Sequence, residues 1–85
     1  MRLVFTATAW NQYLSHIDRK LVKRINDLIA DVVHNEHKGT GKPEPLRGEL
    51  SGFWSRRIDR EHRLVYRITK NDVEIIACRY HYVDR

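Results

Sequence analysis

FWSRRIDREHRLVYRITKNDVEIIACRYHY, residues 53–82, reads as three strands in succession. Aromatic and β-branched residues recur in the runs 53–58, 62–69 and 73–82, and the breaks Asp59-Arg60-Glu61 and Lys70-Asn71-Asp72 are short and polar. This spacing predicts an antiparallel meander. Side chains alternate faces along a strand, so Leu64, Tyr66 and Ile68 share one face of the second run, while Ile76, Cys78 and Tyr80 share one face of the third. If both sets cover one core, even positions pair with even and odd with odd, as when Thr69 lies opposite Val73, because a one-residue slip turns a strand's core outward. That register puts Arg63 opposite Arg79 and diagonal to His81, all facing away from the core. The preceding hairpin, with Ile58 opposite His62, adds Arg57 opposite Arg63 and turns Trp54 and Ile58 inward. Arg56 shares the inward parity, and nothing in the sequence accounts for it beyond a place near the sheet's end.

Upstream, Leu3, Val4 and Phe5 form a short strand, and Thr6 caps a helix whose apolar residues Trp10, Tyr13, Leu14 and Ile17 recur at i, i+3, i+4 and i+7. Asp18 caps a second helix with the stripe Leu21, Ile25, Leu28, Ile29 and Val32. The two helices are expected to pack by these faces. Residues 35–45 contain Gly39, Gly41, Pro43 and Pro45, so the helix gives way to a loop and then an extended segment. Pro45 holds Glu44 out of the helical region, which suits an edge strand. One strand, two helices and then strands make an α+β fold, two N-terminal helices on a small, mainly meander antiparallel sheet.

Eighty-five residues allow one domain and leave no room for a second. The single Cys78 excludes an internal disulfide, and no span of transmembrane length or leader pattern is present, so a soluble cytoplasmic protein is expected, with no membrane partner. Sixteen Lys and Arg against eleven Asp and Glu give a formal charge of +5, with arginines clustered at Arg56, Arg57, Arg60 and Arg63. Arginine's planar fork binds phosphate bidentately, so a polyanionic partner is one reading and an acidic protein partner the other.

A carboxylate, a guanidinium and an imidazole on one basic surface are what metal-free cleavage of an RNA phosphodiester requires. On this reading Glu44 is the base, Arg63 with Arg57 or Arg79 holds the phosphate, and His81 is the acid. Periodicity alone does not bring Glu44 to that face. The other candidates are weaker. Gly39-Thr40-Gly41-Lys42 lacks the Ser or Thr and the preceding strand of a phosphate loop. His34 and His37, flanking Glu36, read as polar residues at a helix end rather than metal ligands, and His16 and His62 as surface residues. Cys78 reads as a buried small hydrophobe, Tyr80, Trp10 and Trp54 as core, and Tyr82 as either a base-stacking residue or a lid on the core.

The blocks GKPEPL (41–46), LSGFWSRR (50–57), HRLVY (62–66) and CRYHY (78–82), with WNQYL and KRIND upstream, resemble the YoeB-type toxins over nearly the whole chain. The resemblance implies a microbial-RNase-like fold of the RelE-like superfamily and a toxin that enters the A site of the 70S ribosome and cleaves mRNA there without a cofactor. It also implies a YefM-type antitoxin as partner and a homodimer. The family's base, phosphate-stabilising arginine and acid fall on Glu44, Arg63 and His81, with Arg57, Arg79, Lys42 and Tyr82 as further substrate-binding positions. Close relatives end at the tyrosine, whereas Val83, Asp84 and Arg85 follow here. Two alternatives remain open: a toxin of the same fold that binds DNA gyrase, and a non-catalytic nucleic-acid-binding partner of an antitoxin repressor.

Overall fold

Thr6 ends the first strand and starts the first helix, its Oγ1 accepting the Ala9 N–H at 3.1 Å. In this computed structural model, which describes residues 1–16 and 18–80, the chain runs β1 (Arg2–Phe5), α1 (Ala7–Ser15) and α2 (Arg19–Asn35). It continues through β2 (Glu44–Pro45), a 3₁₀ turn (Gly48–Leu50), β3 (Trp54–Arg57), β4 (Arg63–Ile68) and β5 (Asp72–Ala77). Ile17 and residues 81–85, and with them His81 and Tyr82, lie outside the described residues. Asp18 caps α2 as its position suggests, accepting the Lys20 N–H at 2.8 Å. No helix among the described residues is long and apolar enough to cross a membrane.

The α2 stripe is what the helix contributes to the core: Ile25, Leu28, Ile29 and Val32 are buried, while the opposite face carries exposed charges such as Lys20, Lys23 and Asp27. They pack with Ala9 of α1 against Leu64, Tyr66, Val73 and Ile75 of the sheet and Cys78 just past its last strand. The helix α1 is less amphipathic than its spacing suggests. Only Ala9 is buried there, and Trp10 is 46% exposed, so the sequence's core assignment for Trp10 is overturned. Its indole rests instead against Phe5 and Tyr13, with centroids 5.3 and 5.6 Å apart. Trp54 does pack on the core.

The sheet order is β1-β5-β4-β3-β2. The last four strands form the expected antiparallel meander, and β1 joins the far edge in parallel with β5, which makes the sheet mixed. The β3–β4 register is the predicted one, with Arg57 opposite Arg63 and Trp54 opposite Tyr66. The β4–β5 register is the predicted one only where Val65 lies opposite Ala77. Ile68 pairs with Val73 and Tyr66 with Ile75, even with odd, because the turn is closed by Thr69, whose N–H donates to the Asp72 carbonyl at 2.9 Å.

A β-bulge reconciles this slip with a common core. Between Val65 and Tyr66 the partner changes from Ala77 to Ile75, leaving Ile76 as the extra residue. Val73 and Ile75 therefore face inward before the bulge and Cys78 after it, while Ile76, expected inward, is only half-buried. A second departure follows at once. The Arg63 N–H donates to the carbonyl of Tyr80 at 3.0 Å, so Arg79 does not lie opposite Arg63 as the uninterrupted register requires.

Candidate active site

The short strand β2 exists because two prolines leave it little else. Pro43 and Pro45 hold the segment extended, and Pro45, lacking an N–H, is tolerated at a sheet edge. β2 pairs with β3 so that Glu44 lies opposite Ser55 and Pro45 opposite Trp54. Following the pairs across the sheet, Glu44, Ser55, Val65 and Ala77 form one row on the face turned away from the helices. Arg57 and Arg63 form the neighbouring row on the same face, since they stand two residues from Ser55 and Val65. Two strand spacings and two residues separate Glu44 from Arg63, about 12 Å between backbones, a span that two long side chains can close around one phosphodiester. Glu44 and Arg57 are exposed, Arg63 is half-buried, and Glu44 with Pro45, Leu46 and Arg47 lines a surface groove of about 330 Å³. Lys42, also exposed, stands two residues before Glu44 at a backbone φ of 51°.

Arginines directly opposite each other disfavour the sheet and favour an anion between or above them. A larger groove of about 500 Å³ lies elsewhere, between α1, α2 and β1, lined by apolar residues such as Leu3, Trp10 and Val33. Apart from His34 its lining is apolar or uncharged, and it offers no carboxylate or guanidinium to pair with that imidazole around a phosphate. His34 borders that groove and is exposed, whereas His37 lies past the end of α2 and stacks on Trp54 at 3.9 Å, where burial pushes its pKa down. Among the described residues no three His, Cys, Asp or Glu are grouped to hold a metal.

The loop that leads into β2 is gathered by Arg56, the inward arginine that the sequence left without an account. It is fully buried, and all five of its N–H groups are used. Nε donates to Tyr66 Oη, one terminal nitrogen donates to the Asp31 carboxylate and to the Thr40 carbonyl at 3.0 Å, and the other donates to the carbonyls of Glu36 and Lys38 at 2.6 and 2.7 Å. Asp31 also accepts the Thr40 N–H and the Asn35 amide. The Arg56 hydrogen bond, with those of Thr40 and Asn35, holds the Asp31 carboxyl at about 2, well below the usual carboxylate range. The loop so gathered ends at Gly41, whose carbonyl accepts the Arg57 N–H at 2.7 Å and leads the chain into Glu44.

The far side of the site is the end of β5. From Cys78 the chain leaves the ladder, and side chains take over its backbone hydrogen bonds. Gln12 Oε1 accepts the Cys78 N–H at 2.8 Å, His16 Nε2 donates to the Cys78 carbonyl at 2.9 Å, and His62 Nδ1 accepts the Tyr80 N–H at 2.8 Å. Arg79 is drawn back to α1, where it donates to Ser15 Oγ at 2.7 Å, so it does not join Arg57 and Arg63. Tyr80, read as core, is 58% exposed at a φ of 67°. His62, read as a surface residue, is buried. Cys78 is the buried small residue expected, its thiol pushed up to about 11 by burial.

A family model for the YoeB-like toxin of bacterial type II toxin–antitoxin systems matches residues 5–82. The chain belongs to this family. It is 55% identical to the toxin YoeB of Streptomyces coelicolor over 84 residues, covering 96% of this chain and all of that protein. Among solved structures, the YoeB/ParE toxin from Agrobacterium tumefaciens superposes with a TM-score of 0.92 at 45% identity, over 96% of this chain and all of that one. Staphylococcus aureus YoeB is similar both as a dimer (TM-score 0.88, 41% identity) and in its complex with YefM (0.87, 40%), each over 96% of this chain and 98% of that one. The chain is therefore a YoeB-like toxin of a type II system, with the two-helix, RelE-like α+β architecture expected of it.

Within this YoeB-like fold, Glu44, Arg57 and Arg63 share one sheet face with Lys42 beside them, Arg79 stands apart, and His81 and Tyr82 fall outside the described residues. Sequence reasoning missed Arg56, His16 and His62 as organising residues. For Arg56 the signal was there in its inward parity, but its acceptors are loop carbonyls that no pattern announces.

Proposed function

We propose that this YoeB-like chain is a ribosome-dependent endoribonuclease that cleaves mRNA in the A site, using Glu44, Arg63 and His81. The 2′-oxygen attacks the adjacent phosphorus as Glu44 takes its proton, and the O2′–P bond forms. Arg63 and Arg57 bear the charge that grows on the phosphoryl oxygens, and Lys42 adds to the field. The P–O5′ bond breaks as His81 gives the leaving oxygen a proton, so the products are a 2′,3′-cyclic phosphate and a 5′-hydroxyl. The observation that supports this is the β2–β3–β4 register, which sets a carboxylate and a facing arginine pair on one sheet surface. A ribosome that preorders the strand supplies the alignment of the reacting 2′-oxygen and phosphorus.

In the same reading a YefM-type antitoxin holds the chain inactive in the cytoplasm and the chain forms a homodimer; the similar Staphylococcus aureus YoeB is solved as a dimer and in complex with YefM. The experiment is primer extension on mRNA in a translating extract with wild-type protein and with Glu44→Ala, Arg63→Ala and His81→Ala. Each variant should keep the wild-type circular dichroism spectrum and lose about 10²- to 10⁴-fold of its cleavage. Full activity in all three would sink the proposal, and transcripts left uncut within codons while supercoiling is inhibited would point instead to a gyrase-binding toxin.

A further inference from the structure

The residues that precede the proposed acid are held in place almost wholly by side chains. Cys78 is gripped through both its N–H and its carbonyl, by the side chains of Gln12 and His16, and Tyr80 through its N–H by the His62 ring and through its carbonyl by the backbone N–H of Arg63. His81 is the next residue in the chain. Tyr80 adopts the left-handed region, at φ 67°, a conformation an aromatic residue keeps only where its surroundings impose it.

A backbone N–H can only donate, so the Tyr80 contact requires a lone pair on Nδ1 of His62 and puts the neutral ring's proton on Nε2. That nitrogen points to Glu61 Oε2 at 3.4 Å. The other groups facing the ring are His16, edge-on at 5.3 Å, Tyr80 at 6.1 Å, and Asp59, whose Oδ1 accepts the His62 N–H at 2.7 Å. Protonation at Nδ1 sets two N–H groups against each other and leaves the Tyr80 donor without its acceptor. The two histidines also need opposite roles: His16 must donate to Cys78, and His62 must accept from Tyr80.

We propose that His62 is a positioning residue of the cleavage reaction: neutral, it locks Tyr80 and thereby aims the residue that follows, and protonated it releases that segment. This rests on the reading of His81 as the acid. It makes the toxin's rate fall on acidification through a group that never touches RNA. Asparagine places its Oδ1 near where Nδ1 stands and does not titrate, so it separates holding from titrating.

The test is single-turnover cleavage on mRNA-programmed ribosomes across pH for wild type, His62→Asn and His62→Leu. His62→Leu should cut roughly 10²-fold more slowly, the cost of misplacing a reacting group by about 1 Å, with ribosome affinity unchanged. His62→Asn should restore the rate and reduce the acidic fall to what protonation of the Glu44 base alone produces. Wild-type cleavage with an undiminished His62→Leu, or His62→Asn as slow as His62→Leu, overturns the inference while leaving the proposed function standing. A wild-type protein that cuts no mRNA overturns both. Should His62→Leu fail to fold, nitrogen NMR of the wild type decides: a scalar coupling through the hydrogen bond between the Tyr80 amide and His62 Nδ1, vanishing on acidification, is expected, and its absence at neutral pH rejects the lock.

Discussion

Arg56 shows how much one residue can organise. A guanidinium is tolerable at full burial only when every N–H is matched, and here a carboxylate, three carbonyls and a phenol match them. Arg56→Met keeps the bulk, orphans the carbonyls and leaves Asp31 without its cation. It should lower urea-unfolding stability by about 3–5 kcal/mol, a large share of what a domain of this size has. Asp31 adds a pH signature. Its folded-state pKa, about 2, lies below the ordinary value of 3.8, so the unfolded chain binds more protons between the two. The stabilisation is complete above pH 4 and is lost as pH falls toward 2. Asp31→Asn should start less stable and show a shallower decline of the urea midpoint over that window; an unchanged slope would mean the carboxylate is not what acid breaks.

Among the elements, those set by local chemistry were legible and those set by an irregularity were not. The Thr6 and Asp18 caps, the α2 stripe and the edge strand around Glu44 follow from residues within a turn or two of each other. The β4–β5 register does not, because parity reasoning assumes an uninterrupted ladder and Ile76 interrupts it. The loop that carries β2 into place depends on Gly41, at φ 82°, where an added Cβ would sit 2.9 Å from Leu28 Cδ2 and 3.1 Å from Arg56 Cβ. Gly41→Ala should therefore cost more than about 1 kcal/mol and reduce cleavage by displacing Glu44. Gly52, at φ 94° with nothing within 4 Å of its Cβ position, is the control: Gly52→Ala bears backbone strain alone and should cleave normally. Equal loss of cleavage in both would show that β2 is not placed by this contact.

For the whole molecule, the charge of +5 matters through where it lies. Lys42, Arg57 and Arg63 gather at one end of the sheet; Arg56 lies inside, Arg2 and Arg67 beside Asp72 and Glu74, and Arg79 beside Ser15. Binding of a short single-stranded RNA by the Glu44→Ala protein should thus weaken with salt at a log–log slope near −2, about 0.7 for each of three neutralised phosphates. Arg57→Ala should flatten that slope by about 0.7 when followed by fluorescence anisotropy. A slope near zero would mean that the basic face serves a protein partner and not RNA.

The sequence by itself determined the α+β class, both helices and their caps, the meander, the Arg57–Arg63 pair and the family, because each depends on nearby residues or on motifs that persist in order. Only the tertiary structure decided that Glu44 shares the face of those arginines, that Arg79 leaves it, and that His62 and His16 grip the end of β5. Those outcomes turn on a bulge, on a buried guanidinium and on side chains reaching backbone groups more than fifteen residues away, and such contacts leave no period in the chain to be read.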